Sequence, residues 1–268
     1  MNPSLPTLFV GHGSPMQAVE TSTTTRFFAE WPDTIPLPQA VLVISAHWLD
    51  TPLSITHWDT CPILHDFYGF PEALYRLDYP APGSPKMAER VVSLLEAESG
   101  GMDGFGPVNL ERERGLDHGA WVPLRHMFPQ ANVPVVQVSM PAGWHPEKLY
   151  RLGLALAPLR QEGVVILASG SATHNLKCIS SAEAPPPQWA VVFDEWLREK
   201  TTRWELHELF EFWVNAPHGT QAHPTSEHLT PLFVAMGAAH EGRNARVVHD
   251  GFSFGCLSNL CLEFGRHP

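Results

Sequence analysis

Histidine is the residue type used most unusually in this sequence, with 15 copies against 17 lysines and arginines together. A neutral imidazole ligates metals and titrates near neutrality, so such a bias points to metal or acid–base chemistry. Five histidines occur in contexts suited to it. His12 sits in Gly11-His12-Gly13-Ser14-Pro15, His47 in Ser45-Ala46-His47-Trp48, and His174 ends Ser169-Gly170-Ser171-Ala172-Thr173-His174; each follows an apolar run by a few residues. His118 lies in Gly115-Leu116-Asp117-His118-Gly119, where Asp117 is placed to accept the second ring N–H, as ligand and catalytic histidines require. His228 follows Pro224-Thr225-Ser226-Glu227 at the start of a predicted helix. One histidine in a turn is ordinarily a capping or surface residue. Three of them at strand ends, beside Gly or Ser whose small side chains leave room for a ligand, form a pattern that structure alone does not call for.

The remaining histidines carry less. His65, in Leu64-His65-Asp66-Phe67, is a candidate for a pocket wall, and His223 and His249 are undecided. His57, His126, His145, His207, His218, His240 and His267 read as ordinary. Other chemistries lose ground on spacing. Gly11-His12-Gly13-Ser14 lacks the lysine and length of a phosphate loop. Gly13-Ser14-Pro15 is no nucleophile elbow, because Met16 stands where a second glycine is needed. Cys61, Cys178, Cys256 and Cys261 form no C-x-x-C pair and read as reduced, mostly buried thiols.

The elements that must bring these histidines together read as α/β. Leu5 to Val10, Ala40 to Ala46, Val133 to Met140 and Gly163 to Ala168 are continuous apolar runs, as expected of strands in a sheet covered on both faces. Ser84-Pro85 opens a helix with Met87, Val91, Leu94 and Leu95 on one face. Leu149, Leu152, Leu156 and Leu159 repeat the spacing between the third and fourth runs, a strand–helix–strand unit that requires parallel pairing. Ala120 to Phe128 and Leu229 to Ala238 are further predicted helices, and Ala245 to His249, Phe252 to Phe254 and Leu257 to Phe264 are strand candidates, giving mixed pairing at one edge. The expected architecture is one α/β domain over 1–268, with a mostly parallel, partly mixed central sheet between helices. In such a sheet ligands collect beyond the carboxyl ends of the strands, where His12, His47 and His174 fall.

Composition sets the outer bounds. A hydrophobic share of 44% supports a large core, and charged residues at 17% fall below the ordinary roughly 25%. The formal charge of -11 disfavours nucleic acid and anionic membrane surfaces, which bind through lysine and arginine. No basic leader and no run of membrane-spanning length is present, so the expected location is cytoplasmic.

Several phrases together carry a resemblance: GHGSPM at Gly11 to Met16, SAHW at Ser45 to Trp48, HDFYGFP at His65 to Pro71, YPAPGSP at Tyr79 to Pro85, GLDHGAWVP at Gly115 to Pro123, ASGSATHNL at Ala168 to Leu176 and HPTSEH at His223 to His228. In this order they resemble the class III extradiol ring-cleavage dioxygenases, in the 4,5-DOPA extradiol dioxygenase branch. The resemblance implies one divalent metal ion per chain and cleavage of a catechol with molecular oxygen. It implies His12, His47 and His228 as metal ligands. His174 is then an acid–base group facing the metal, or a fourth ligand in a zinc-loaded form, and His118 a second pocket histidine. The broader class completes its triad with a carboxylate, which the adjacent Glu227 would supply; the branch favours His228. Zn(II) is expected as isolated and Fe(II) for ring cleavage. Trp48, Phe67, Tyr68, Phe70 and Trp121 are candidate walls for a flat ring. A zinc hydrolase using the same imidazoles is the alternative enzyme, a closed metal-carrying site the non-enzymatic one, and the oligomeric state is open.

Overall fold

The computed structural model describes residues 4–98 and 104–266; His267 lies outside them. Eight strands form one sheet in the order β4-β3-β5-β2-β6-β1-β10-β7, where β1 is Thr7–Gly11, β2 Ala40–Leu49, β3 Leu53–Thr56, β4 Val108–Glu111, β5 Val135–Met140, β6 Val164–Gly170, β7 Ala245–His249 and β10 Cys261–Phe264. A small hairpin of β8, Phe252–Ser253, and β9, Leu257–Ser258, stands apart from it. The central strands β5, β2, β6 and β1 are parallel. Antiparallel pairing enters at both flanks, β3 against β5 and β10 against β1 and β7, not only at the edge built by the last quarter of the chain.

Alternate residues of the central strands serve two cores, which is why the runs are apolar throughout. Leu8, Val10, Val41, Val43, Val165 and Leu167 face the core under the helices Thr23–Glu30 and His118–Met127. Phe9, Leu42, Ile44, Val136, Val138 and Ile166 face the opposite core, closed by the helices Pro85–Ala97, Pro146–Leu156, Gln188–Thr202 and Pro231–Ala238. Ser84 caps its helix by accepting from the Met87 amide, as its position before proline predicts.

The expected boundaries shift for local reasons. Strand β2 runs on through Leu49, because its ladder with β5 resumes at Leu49 and Met140 after an irregularity, so His47 lies inside the strand end and not beyond it. The stretch Leu257 to Phe264 breaks into β9 and β10: the Asn259 amide turns away to the Gly251 carbonyl, and Leu260 offers its carbonyl to the Gly11 amide. The helix expected from Leu229 begins at Pro231, a residue suited to the first helical position. Strands β3 and β4 and the helix Gln188–Thr202 are additions to the expected elements. No described helix is long and apolar enough to cross a membrane.

Candidate metal centre

Strands β2, β6 and β1 are adjacent and parallel, so their carboxyl ends open on one edge, and the site is built there. His12 follows β1 directly and donates its amide to the Gly170 carbonyl at the end of β6. His47 lies within β2, two residues before its end at Leu49. His228 arrives from far along the chain, held by the Ser171 amide donating to its carbonyl at 2.8 Å. Gly170 makes that approach feasible, since a Cβ there would lie 2.0 Å from the His228 carbonyl oxygen. The glycine expected to leave space for a ligand instead leaves space for backbone.

The ring nitrogens of His12, His47 and His228 lie within 4.8 Å of one another. His12 Nε2 and His47 Nε2 are 3.0 Å apart. The Ser169 hydroxyl donates to the Gly119 carbonyl at 2.5 Å and lies 3.0 Å from His12 Nδ1, so it can only accept there. His12 therefore carries its proton on Nδ1 and turns the Nε2 lone pair inward. His228 behaves alike: Nδ1 donates to Glu227 at 3.1 Å, while Nε2 is buried without a partner. His47 has Nδ1 3.5 Å from the Asp66 carboxylate. Burial, then the neighbouring imidazoles, hold His12 and His228 well below the ordinary histidine pKa. Burial and His118 push His47 down to about 4, against the pull of Asp117 and Asp66. With His12 protonated on Nδ1, the His12–His47 approach is a hydrogen bond donated by His47 Nε2 when that atom carries the proton, and a pair of facing lone pairs that a shared cation would bridge when the proton sits on Nδ1 toward Asp66. Two nitrogens each about 2.1 Å from one ion lie roughly 3.0 to 3.4 Å apart for angles of about 90° to 109°, a range that includes the His12–His47 spacing. The donor set fits a divalent metal.

Two further histidines border this cluster. His118 opens the helix His118–Met127, and its ring centroid is 4.0 Å from that of His47. Its orienting carboxylate is Asp66, which accepts the His118 amide at 2.9 Å and Nδ1 at 3.0 Å. Asp117, the neighbour expected to do this, is turned into the core. There it caps the helix at Ala120 and accepts from Ser45, Gln137 and Arg114. The signal for Asp66 lay in the phrase HDFYGFP, but only the fold carries that loop to His118. His174 stacks on His228 with centroids 3.4 Å apart and planes at 6°. Burial lowers its pKa, with His118 adding to the effect and Glu227 opposing it. His174 and Glu227 form a second ligand-like group with His228, as Asp66 and His118 do with His47.

All five imidazoles line one cavity of about 580 Å³. Of the expected aromatic walls, Phe67 and Phe70 border it. Trp121 is buried in the core, Trp48 is buried beneath the Arg114 guanidinium, and Tyr68 is 92% exposed. His65 packs among the Phe67, Tyr75 and Trp121 rings and does not reach the cavity. His223 is fully buried behind the site against the Ala172 carbonyl, and His249 bonds Thr24. Cys61, Cys256 and Cys261 are buried free thiols, and Cys178 is half-buried.

The 4,5-DOPA dioxygenase extradiol of Beta vulgaris is 42% identical over 261 residues, covering 96% of this chain and 96% of that protein. The protein of the same name from Escherichia coli K12 is 39% identical over 271 residues, covering 97% and 95%. The crystal structure of an uncharacterized Escherichia coli K12 protein superposes with a TM-score of 0.82 at 34% identity, covering 97% of this chain and 100% of that one. The family model for the catalytic LigB subunit of aromatic ring-opening dioxygenase matches residues 5–265. On these grounds, the chain belongs to the LigB family of aromatic ring-opening dioxygenase catalytic subunits.

Proposed function

We propose that the protein holds one divalent metal ion on His12, His47 and His228 and opens the ring of a catechol-type aromatic with molecular oxygen. The bond broken lies beside the pair of hydroxyl-bearing carbons. Both oxygen atoms enter the product, which gains a carboxylate at one end and an aldehyde or ketone at the other, so no external reductant is required. One observation carries this reading: inward-facing Nε2 atoms, one of them buried without a partner, meet at an open cavity that also holds two non-ligand imidazoles.

When bound, the ion acts as a Lewis acid on the catechol oxygens and, as Fe(II), supplies the redox activity that dioxygen requires; Zn(II) supplies only the first. The side chains do the rest. His118, with Nδ1–H held by Asp66, offers Nε2 as base for a catechol hydroxyl proton, and the carboxylate steadies the imidazolium that results. His174 lies flat against a ligand ring, where a second positive charge is disfavoured, so it works as a neutral hydrogen-bonding group at the reacting oxygens. The base role expected of His174 thus passes to His118 in this reading, and His174 remains within reach as a fourth ligand for zinc. Glu227 orients His228 and is not itself a ligand of the triad.

The test is anaerobic reconstitution with Fe(II) or Zn(II), followed by oxygen-electrode traces with substituted catechols. Oxygen uptake and a yellow ring-opened product with Fe(II), and neither with Zn(II), are expected. Ester hydrolysis by the zinc form with no oxygen uptake by the iron form would replace this reading with a zinc hydrolase.

A further inference from the structure

We infer that the Ser14 hydroxyl is a specificity-determining hydrogen-bond donor of the cavity, pairing with a carboxylate oxygen on the ring substituent of the bound catechol. This rests on the ring-cleaving reading for the catechol head and on the cavity lining for the substituent. Ser14 lines the cavity two residues past His12, in an unbroken stretch of wall from His12 to Met16. Its Oγ accepts from the Met16 amide at 3.3 Å and its carbonyl accepts from the Gln17 amide at 3.0 Å. Among the described residues nothing accepts the Ser14 hydroxyl proton. The other hydroxyls of the lining are spent. Ser171 donates to the Thr173 and Ser258 carbonyls, and Ser258 donates to Asp194 at 2.5 Å. The imidazoles surround the place of the ion, where the catechol oxygens belong. A polar group further out on the substrate is therefore left with Ser14 as its side-chain donor.

The turn that carries Ser14 is fixed on both sides. Gly13 has φ 65°, and a Cβ there would lie 2.1 Å from Gln17 Nε2, so glycine lets the chain reverse tightly over the Gln17 side chain just after His12. The His126 ring donates to the Gln17 carbonyl at 2.7 Å and anchors the far end of the turn to the helix His118–Met127. With its oxygen committed to the Met16 amide, the hydroxyl has little freedom beyond the direction of its proton. Away from the imidazoles most of the remaining wall is apolar, including Phe67, Phe70, Leu176, Ile179 and Phe254. In such surroundings one well-placed polar group fixes the orientation of a ligand. Among the described residues no aspartate or glutamate lines the cavity, so no acid opposes a carboxylate at contact distance.

The full chain loaded with Zn(II) is titrated calorimetrically with L-DOPA, with dopamine, which lacks only the carboxylate, and with 4-methylcatechol. Ser14→Ala should weaken L-DOPA binding about 10- to 100-fold, the loss expected when a hydrogen bond to a charged acceptor is removed, and leave the other two unchanged. Ser14→Thr keeps a hydroxyl that can both cap the turn and donate, and should restore L-DOPA binding. With Fe(II), Ser14→Ala should raise KM for L-DOPA while kcat stays the same, as loss of uniform binding does. Equal weakening of all three catechols would reduce Ser14 to a cap of the turn and overturn the inference. Unchanged L-DOPA binding in Ser14→Ala, or binding of none of the three to the wild type, would overturn it as well. If Ser14→Ala discriminates among the ligands in the zinc form while the wild-type Fe(II) form takes up no oxygen, the ring-cleaving reading fails and the role of Ser14 stands. Oxygen uptake with L-DOPA that is indifferent to Ser14 keeps the reading and removes the inference.

Discussion

The Ser169 hydroxyl fixes the tautomer of His12: it gives its own proton to the Gly119 carbonyl and so accepts from His12 Nδ1 at 3.0 Å, leaving Nε2 bare toward His47. Ser169→Ala removes that acceptor and leaves a buried Nδ1–H unpaired. Zinc affinity should fall about 10- to 100-fold, as for other groups that orient a metal ligand. Competition with a chromophoric chelator measures it, and unchanged affinity would mean that the tautomer is set elsewhere.

The ligand assignment separates two classes of variant. His12→Ala, His47→Ala and His228→Ala should each lose metal and oxygen uptake together. His174→Ala should retain metal while losing most turnover. Elemental analysis of the purified variants decides it, and a full equivalent of metal in His12→Ala would remove His12 from the site.

Asp66 reaches both His118 and His47, so its charge should count in the reaction more than in folding. At saturating Fe(II), His118→Gln should lower kcat by about 10²- to 10⁴-fold, the range for loss of a general base. Asp66→Asn should lower it by about 10- to 100-fold. A kcat equal to wild type in His118→Gln would return the base role to His174.

Gly170→Ala places a methyl group 2.0 Å from the His228 carbonyl, a backbone atom that cannot swing aside. The strand end and the His228 segment must part. Overpacking of this kind costs about 1–3 kcal/mol, read by urea unfolding. Metal affinity should fall in the same variant if His228, carried by the displaced segment, is a ligand as proposed.

The metal-free protein should be sensitive to mild acid. His223 and His47 are both held down to about 4, chiefly by burial, whereas an unfolded chain protonates them near 6.5. For a group with a lowered folded-state pKa, stability is fully present above 6.5 and is lost as pH falls from there toward 4. At about 1.4 kcal/mol per pH unit, His223 alone accounts for roughly 3 kcal/mol over that window. Melting temperatures of the chelated protein from pH 8 to 4 should fall below pH 6.5, and His223→Gln should flatten the fall. A flat profile in the wild type would contradict the buried neutral state.

Much of this was legible in the residues. Apolar runs feeding Gly- and Ser-rich ends gave the parallel strands, because a strand covered on both faces must be apolar throughout, and His12 and His47 stand at those ends. The histidine bias and the ordered phrases pointed to five imidazoles that the fold does bring to one cavity. What periodicity could not supply is how segments distant in sequence meet side chain to side chain. Asp117 precedes His118 in the chain, yet a helix cap turns its carboxylate into the core, and Asp66 arrives from another loop to orient the ring. Trp48 and Trp121 read as pocket walls and are core, while Leu176, Ile179 and Phe254 line the mouth from a segment and a hairpin without periodic signal. Composition and local pattern thus determined the strand ends and the residue types of the centre, since those depend on burial and spacing along the chain. The tautomers, the orienting carboxylate and the apolar character of the cavity were decided by tertiary packing, because each depends on an atom supplied by a remote part of the sequence.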